Sequence, residues 1–442
     1  MKRVSHETYA TPDIILDSQI NDKFANDVEK IRALYIYCIE RFDIVSSPPN
    51  EEIRSKPPHN MEEIIQMRRC TAHQLTWIFY AMALRMKLEV EIILGYYKTP
   101  FDYHNAYANS GTTPRSNSTS RNKGNSNAVS INHSWISVYL GNEFRFIDIA
   151  LGNPSNPIHS LFNYSESDLD NNTEYYFLSR PLEIVHTHVP IHIDNQHVTP
   201  PIDTNIQISL PPLYPAFLNN GFSFHKFDQS LLRLHDFEIA ELDFVIPKDF
   251  IIEAFVEKHD NGKSHNSDAN RALVQIYWRK GRRIAKIKAV VPPMTPIAFI
   301  AVYAAIEGSD NLPLAVSLPI YHQGKDKPLS WVRVDNDFDN LKNFEYYVKQ
   351  PQVYNLPSKE TFEFSIIRYH VKRLDSERPF ALYLISPRGD YYPFDNQDID
   401  NSQMSVWEQQ IQLKEEGKWK LIAPSDDNSK WCTIAEWNCV SY

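Results

Sequence analysis

Three stretches decide the reading of this chain: ALRMKLEVEIILGYYK at residues 83–98, NHSWISVYL at 132–140 and EFRFIDIALGNP at 143–154. The first follows a stripe of Leu75, Ile78, Phe79, Met82 and Met86, whose three- and four-residue spacing predicts an amphipathic helix. It runs straight into Glu89-Val90-Glu91-Ile92-Ile93-Leu94, an apolar run that reads as a strand ending at Gly95. The other two predict short strands, His133 to Leu140 and Glu143 to Ile149, joined by Gly141-Asn142 as a tight hairpin. A tight turn near residue 141 sets His133 and Asp148 almost opposite one another, within side-chain reach. Trp135, two residues after His133, points to the same face as the imidazole.

Upstream, Phe24, Val28, Ile31, Leu34, Tyr35, Cys38 and Ile39 form one helical stripe within residues 21–47, stopped by Pro48-Pro49. A second helical region opens after His59-Asn60. Between residues 101 and 132 the composition turns to Asn, Ser, Thr and Gly. Such a segment buries too little apolar surface to offset its ordering entropy, which predicts a mobile insertion. Beyond Pro200 short β-rich runs take over, among them 240–246, 273–278, 284–291, 361–370 and 380–386, separated by Pro, Asp and Gly clusters. The expected class is therefore α+β followed by one or two all-β sandwiches. The expected domains are 1–200, 201–323 and 324–442.

Composition narrows the function. Of 442 residues, 42% are hydrophobic and 23% charged, values of an ordinary globular protein. A net charge of −10 argues against a generic nucleic-acid binder. Four cysteines are too few for a disulfide framework, and with no apolar leader after Met1-Lys2-Arg3 the expectation is cytoplasmic. The run 289–306 approaches a membrane span in length, but Pro292, Pro293 and Pro296 break it. Its second half, 297–306, reads as a buried strand.

The helix, strand, His-Ser-Trp strand and Phe-Ile-Asp strand together resemble the core of the transglutaminase-like superfamily, relatives of papain-type cysteine proteases. That resemblance implies a papain/transglutaminase-like first domain. In it a Cys at the start of the central helix would meet His133 and Asp148, which match the family His and Asp. The helix start and a nearby imidazolium lower the thiol pKa, and the carboxylate orients the imidazole. The family spacing places the nucleophile 23 residues before Gly95, at Ala72; the nearest thiol, Cys70, falls two residues short. On a helix two residues are about 200° of rotation, which would turn that thiol away from His133. The site is thus expected to be degenerate, with His133, Trp135 and Asp148 kept as a binding surface. The alternative is an active cysteine peptidase or protein-glutamine acyltransferase built on Cys70, His133 and Asp148.

Glu174-Tyr175-Tyr176-Phe177 and Thr187-His188-Val189-Pro190 resemble segments that close the domain in the kyphoscoliosis-peptidase branch. Gly417-Lys418-Trp419-Lys420-Leu421 and Trp431-Cys432 suit a last immunoglobulin-like sandwich. Within that branch the chain is most similar to the C-terminal region of the fungal cytokinesis-protein-three family. This implies a protein-binding role in actomyosin-ring ingression and septum formation. It also implies location at the bud neck and partnership with cytokinesis proteins, a chitin synthase among them.

Three further clusters stand out in the sequence. His186, His188 and His192 have even, strand-like spacing suited to zinc, but Pro190 interrupts them, and neither a metal nor another cofactor is expected. Arg279, Lys280, Arg282, Arg283, Lys286 and Lys288 read as a basic hairpin, a patch for an acidic protein segment or, peripherally, for anionic lipid. Asp395, Asp398 and Asp400 lack calcium-loop spacing and read as turn residues.

Overall fold

The central helix begins where the sequence supplies a start signal. In the computed structural model Thr71 caps Ala72–Arg85: its hydroxyl accepts the Gln74 N–H, and the Gln74 side chain returns to the Thr71 N–H. The model describes residues 20–48, 53–101, 129–226, 232–260, 263–266, 271–291, 297–325, 327, 329–335, 343–371, 381–397, 404–427 and 429–441. Most of the expected insertion, 102–128, lies outside the described residues, as do the N-terminal 19 residues, Asp398 and Asp400.

Two compact units divide the chain. The first comprises residues up to Asn219 with Asn311–Ala315. It holds helices α1 (Asp27–Arg41), α2 (Met61–Met67), α3 (Ala72–Arg85), α4 (Glu166–Tyr175) and α5 (Thr204–Ser209), besides shorter turns. Its strands are β1 (Asp43–Ile44), β2 (Arg69–Cys70), β3 (Val90–Tyr97), β4 (His133–Leu140), β5 (Glu143–Ile147) and β6 (His188–Pro190). A four-stranded antiparallel sheet runs β5-β4-β3-β6. Leu34 and Tyr35 of α1, and Leu75, Ile78, Phe79 and Met82 of α3, form one core with Ile136, Val138 and Ile147 of the sheet. These are largely the stripes read from the sequence. The hairpin forms as expected, with Gly141 and Asn142 both at positive φ (58° and 67°), the backbone a two-residue turn demands.

Three expectations need correction here. The first helix spans 27–41, not 21–47; an extended Phe42 ends it and leads into β1. The strand read as ending at Gly95 continues to Tyr97, because β6 pairs with its far end, Gly95 to Pro190 and Tyr97 to His188. And Cys70 is not on the helix at all. It lies in β2, paired in parallel with Ile44, so its placement comes from a strand rather than from helical rotation.

The second unit, Asn220–Asp310 with Val316–Tyr442, is strand-rich. Among its described residues, one pair of sheets orders as β11-β10-β14-β15-β8 and β12-β13-β9-β7. These strands are β7 (Ser223–Lys226), β8 (Leu232–Leu234), β9 (Ala240–Val245), β10 (Phe250–Asp260), β11 (Lys263–Asn266), β12 (Ala272–Arg279), β13 (Arg282–Ala289), β14 (Ile297–Ile306) and β15 (Leu314–His322). A further pair of sheets follows between residues 333 and 440, with the strands Phe344–Gln350 and Thr361–His370 side by side. Its core holds Phe364, Leu384, Trp407, Trp419, Leu421 and Trp437, with the Phe364 and Trp437 rings perpendicular at 5.1 Å. Expected strands at 297–306 and 361–370 fall on their observed bounds. No helix among the described residues is long and apolar enough to cross a membrane.

Candidate functional site

His133 is the first residue of β4, opposite Gly95 of β3, and Asp148 is the first residue beyond β5. Their hairpin register puts Ile136 across from Ile147, so the two side chains meet on one face. His133 Nε2 stands 2.5 Å from Asp148 Oδ2. The expected juxtaposition of the two residues is therefore present in the structure.

A third side chain completes the cluster. His188, the first residue of β6, places Nε2 3.0 Å from the same Oδ2. All three residues are buried. The other carboxylate oxygen, Oδ1, accepts the N–H groups of Ala150 (3.1 Å) and Leu151 (2.9 Å). The Asp148 N–H donates to the Tyr176 carbonyl, which anchors this stretch to the end of α4. Burial alone would raise the Asp148 carboxyl, but the charges and hydrogen bonds of His133 and His188 outweigh it and hold the acid well below its usual range. His188 is pulled the other way: burial lowers its proton affinity, and Asp148 only partly opposes this.

Aromatic rings enclose the cluster. Trp135 lies nearly parallel to His133 with centroids 6.1 Å apart, and stands perpendicular to His188 at 5.0 Å. Tyr97 packs within 5.4 Å of His133 and 5.2 Å of His188. Trp135 thus flanks both imidazoles, as its strand phase with His133 predicts. Water is largely excluded, which strengthens every electrostatic contact inside.

The start of α3 faces the start of β4. Thr76 Oγ1 donates to the Ser134 carbonyl at 3.3 Å, and His73 Nδ1 lies 2.7 Å from Ser134 Oγ. His73 Nε2 lies 3.2 Å from the Trp77 indole N–H and 3.2 Å from the Arg54 carbonyl, which fixes the ring between the helix and that loop. Ala72 opens the helix one turn ahead of Thr76 and shares its face, so a methyl stands at the helix start beside β4. Cys70 is 1% exposed and belongs to the core cluster of Cys38, Ile44 and Leu75. Burial, and then the neighbouring Cys70, push the Cys38 thiol up, so the two sulfurs share one apolar environment.

His73 and His188 were not assigned to the site from sequence. His188 appears there twice, in the closing Thr-His-Val-Pro segment and in the His186, His188, His192 spacing. The structure does not bring that trio together: His186 Nδ1 takes the Pro211 carbonyl at 3.0 Å while His188 turns to Asp148. The signal for His188 was the pairing of its strand beside Gly-Tyr-Tyr, which needs the sheet order. In the basic hairpin, Lys286 and Lys288 reach Glu241 at 2.9 and 3.5 Å, and Arg283 is buried against Glu345. Arg279, Lys280 and Arg282 at its tip are exposed.

Comparison with known proteins gives the chain relatives. Residues 339–439 match the family described as the CYK3 C-terminal Ig-like domain, so the last sandwich is immunoglobulin-like. The chain is 28% identical over 458 residues to cytokinesis protein 3 of Saccharomyces cerevisiae, covering 99% of this chain and 49% of that protein. It is 24% identical over 449 residues to cytokinesis protein 3 of Schizosaccharomyces pombe, covering 99% of this chain and 47% of that protein. Similarity of this extent is homology. The chain spans about half the length of the curated relatives it matches.

Proposed function

We propose that this chain is a protein-binding module of fungal cytokinesis, built on a transglutaminase-like domain that has lost its nucleophile. One observation carries the reading: the His133–Asp148 pair is intact while the first residue of the facing helix is Ala72. A cysteine enzyme needs thiol and imidazole in hydrogen-bond reach. Cys70, the nearest thiol in sequence, is instead enclosed in the core beside Cys38. The names of both relatives support the process. A place at the division site, bud neck included, and regulation of a chitin synthase belong to the same proposal, drawn from family resemblance.

The pair survives without chemistry for a physical reason. Removing Asp148 would leave two imidazoles without their shared acceptor in the interior, at about 3–5 kcal/mol. His133→Ala should weaken partner capture or slow division in cells carrying the variant, while Cys70→Ala, which removes the thiol without burying a hydroxyl, should leave both unchanged. Equal loss from the two substitutions would overturn the proposal. So would rapid labelling of Cys70 by iodoacetamide in the folded chain at neutral pH, the behaviour of an activated thiolate.

A further inference from the structure

We propose that His133, Asp148 and His188 form a binding site for a divalent transition-metal ion of the zinc class. The inference goes beyond the binding-module reading and does not depend on it. One ligand atom from each of the three residues lies within 4.8 Å of the other two. They come from three separate segments: the start of β4, the end of β5 and the start of β6. Tetrahedral zinc bonds of 2.0–2.1 Å require ligand atoms roughly 3.3 Å apart. The observed 2.5 and 3.0 Å separations from Asp148 Oδ2 need only a small outward shift of the imidazoles.

The surroundings are those of a supported ligand set. The Ala150 and Leu151 N–H groups hold Oδ1 and leave Oδ2 to face the imidazoles. His188 Nδ1 lies 2.9 Å from the Thr187 hydroxyl, whose own proton goes to the Ile184 carbonyl at 3.3 Å, so the hydroxyl accepts from the ring. That environment keeps the ring proton on Nδ1 and turns the Nε2 lone pair toward the carboxylate. A lone pair facing a carboxylate at 3.0 Å is stable only with a cation or a proton between them. A divalent ion between Asp148 Oδ2 and the two imidazole nitrogens supplies that charge. Two imidazoles and one carboxylate suit zinc, cobalt or ferrous iron; calcium and magnesium prefer all-oxygen sets.

The full chain, stripped with a chelator, is titrated with Zn²⁺ against a chromophoric competitor, and with Co²⁺ followed by its visible absorption. The expected result is saturable uptake of one ion and a Co²⁺ spectrum of low coordination number. His188→Ala and Asp148→Asn should each weaken uptake by more than about 100-fold, since one removes a ligand and the other the anionic charge, where loss of a ligand's hydrogen-bond partner alone costs about 10–100-fold. His186→Ala, whose ring is tied to Pro211, should bind as the unaltered chain does. Absence of one-to-one uptake by the unaltered chain overturns the proposal. So does uptake that survives both ligand substitutions, which would place the ion elsewhere. Should those two variants fail to fold, Thr187→Val decides: weakening of about 10-fold or more supports the site, and unchanged affinity refutes it.

Discussion

Gly95 sits in β3 between His133 on one side and Pro190 on the other. A methyl group added there would lie 2.3 Å from the Val189 carbonyl oxygen, 2.5 Å from Trp135 Cη2 and 2.9 Å from Pro190 Cα. Two of these are backbone atoms of β6, so no rotamer change relieves them. To restore even 3.0 Å, β6 must retreat by at least about 0.7 Å, which stretches the Ile191 N–H to Leu94 carbonyl bond from 3.0 Å beyond useful length. Lost ladder bonds cost about 0.5–1.5 kcal/mol each and overpacking about 1–3 kcal/mol. The lower chain entropy of Ala returns less than about 1 kcal/mol. Gly95→Ala should therefore destabilise β6 by about 2–4 kcal/mol, and with it the position of His188. Amide exchange read on peptides covering 186–192 checks this: protection should fall roughly 30- to 1000-fold, at about 1.4 kcal/mol per factor of ten. Protection unchanged within about threefold would refute the steric argument.

Lys98 is fully buried, its Nζ donating to the carbonyls of Gln207 (2.6 Å) and Leu210 (2.8 Å), and burial holds its pKa well below the lysine range. The folded chain thus keeps this amine neutral over a range where the unfolded chain protonates it, so stability from this group falls as pH drops below about 10.4. Relative to Lys98→Met, the unaltered chain should gain stability as pH rises toward about 10.4, with a limiting slope of about 1.4 kcal/mol per pH unit; parallel urea-unfolding profiles would contradict this. Arg283 is buried with its Nε 2.6 Å from Glu345 Oε1 and its Nη1 on the Pro247 and Phe250 carbonyls. Glu345→Ala should cost about 3–5 kcal/mol in thermal unfolding, whereas replacing both partners with apolar residues should cost far less; equal losses would sink the argument.

What the sequence revealed and what it withheld divide along contact distance. The 133–149 hairpin was legible because Gly141-Asn142 writes its turn chemistry locally, and the register then follows by counting to Asp148. The strands at 297–306 and 361–370 were legible because long apolar or β-branched runs have few alternatives. Gly95 misled for a physical reason. A glycine in a strand reads as a stop, yet here it marks the close approach of another backbone, visible only once β6 is known to lie alongside. Cys70 misled in the same way: an isolated count along a helix cannot foresee that Ile44, 26 residues earlier, draws the residue into a parallel strand pair. His188 lies 40 residues from Asp148, and its own neighbours in sequence offered a different partner set. Gly95 admits β6 to the sheet, and β6 carries His188 to the carboxylate. The chain length that hid the third imidazole is thus spanned by one sheet edge, and any substitution closing that edge should remove His188 from the site while leaving the His133–Asp148 hairpin in place.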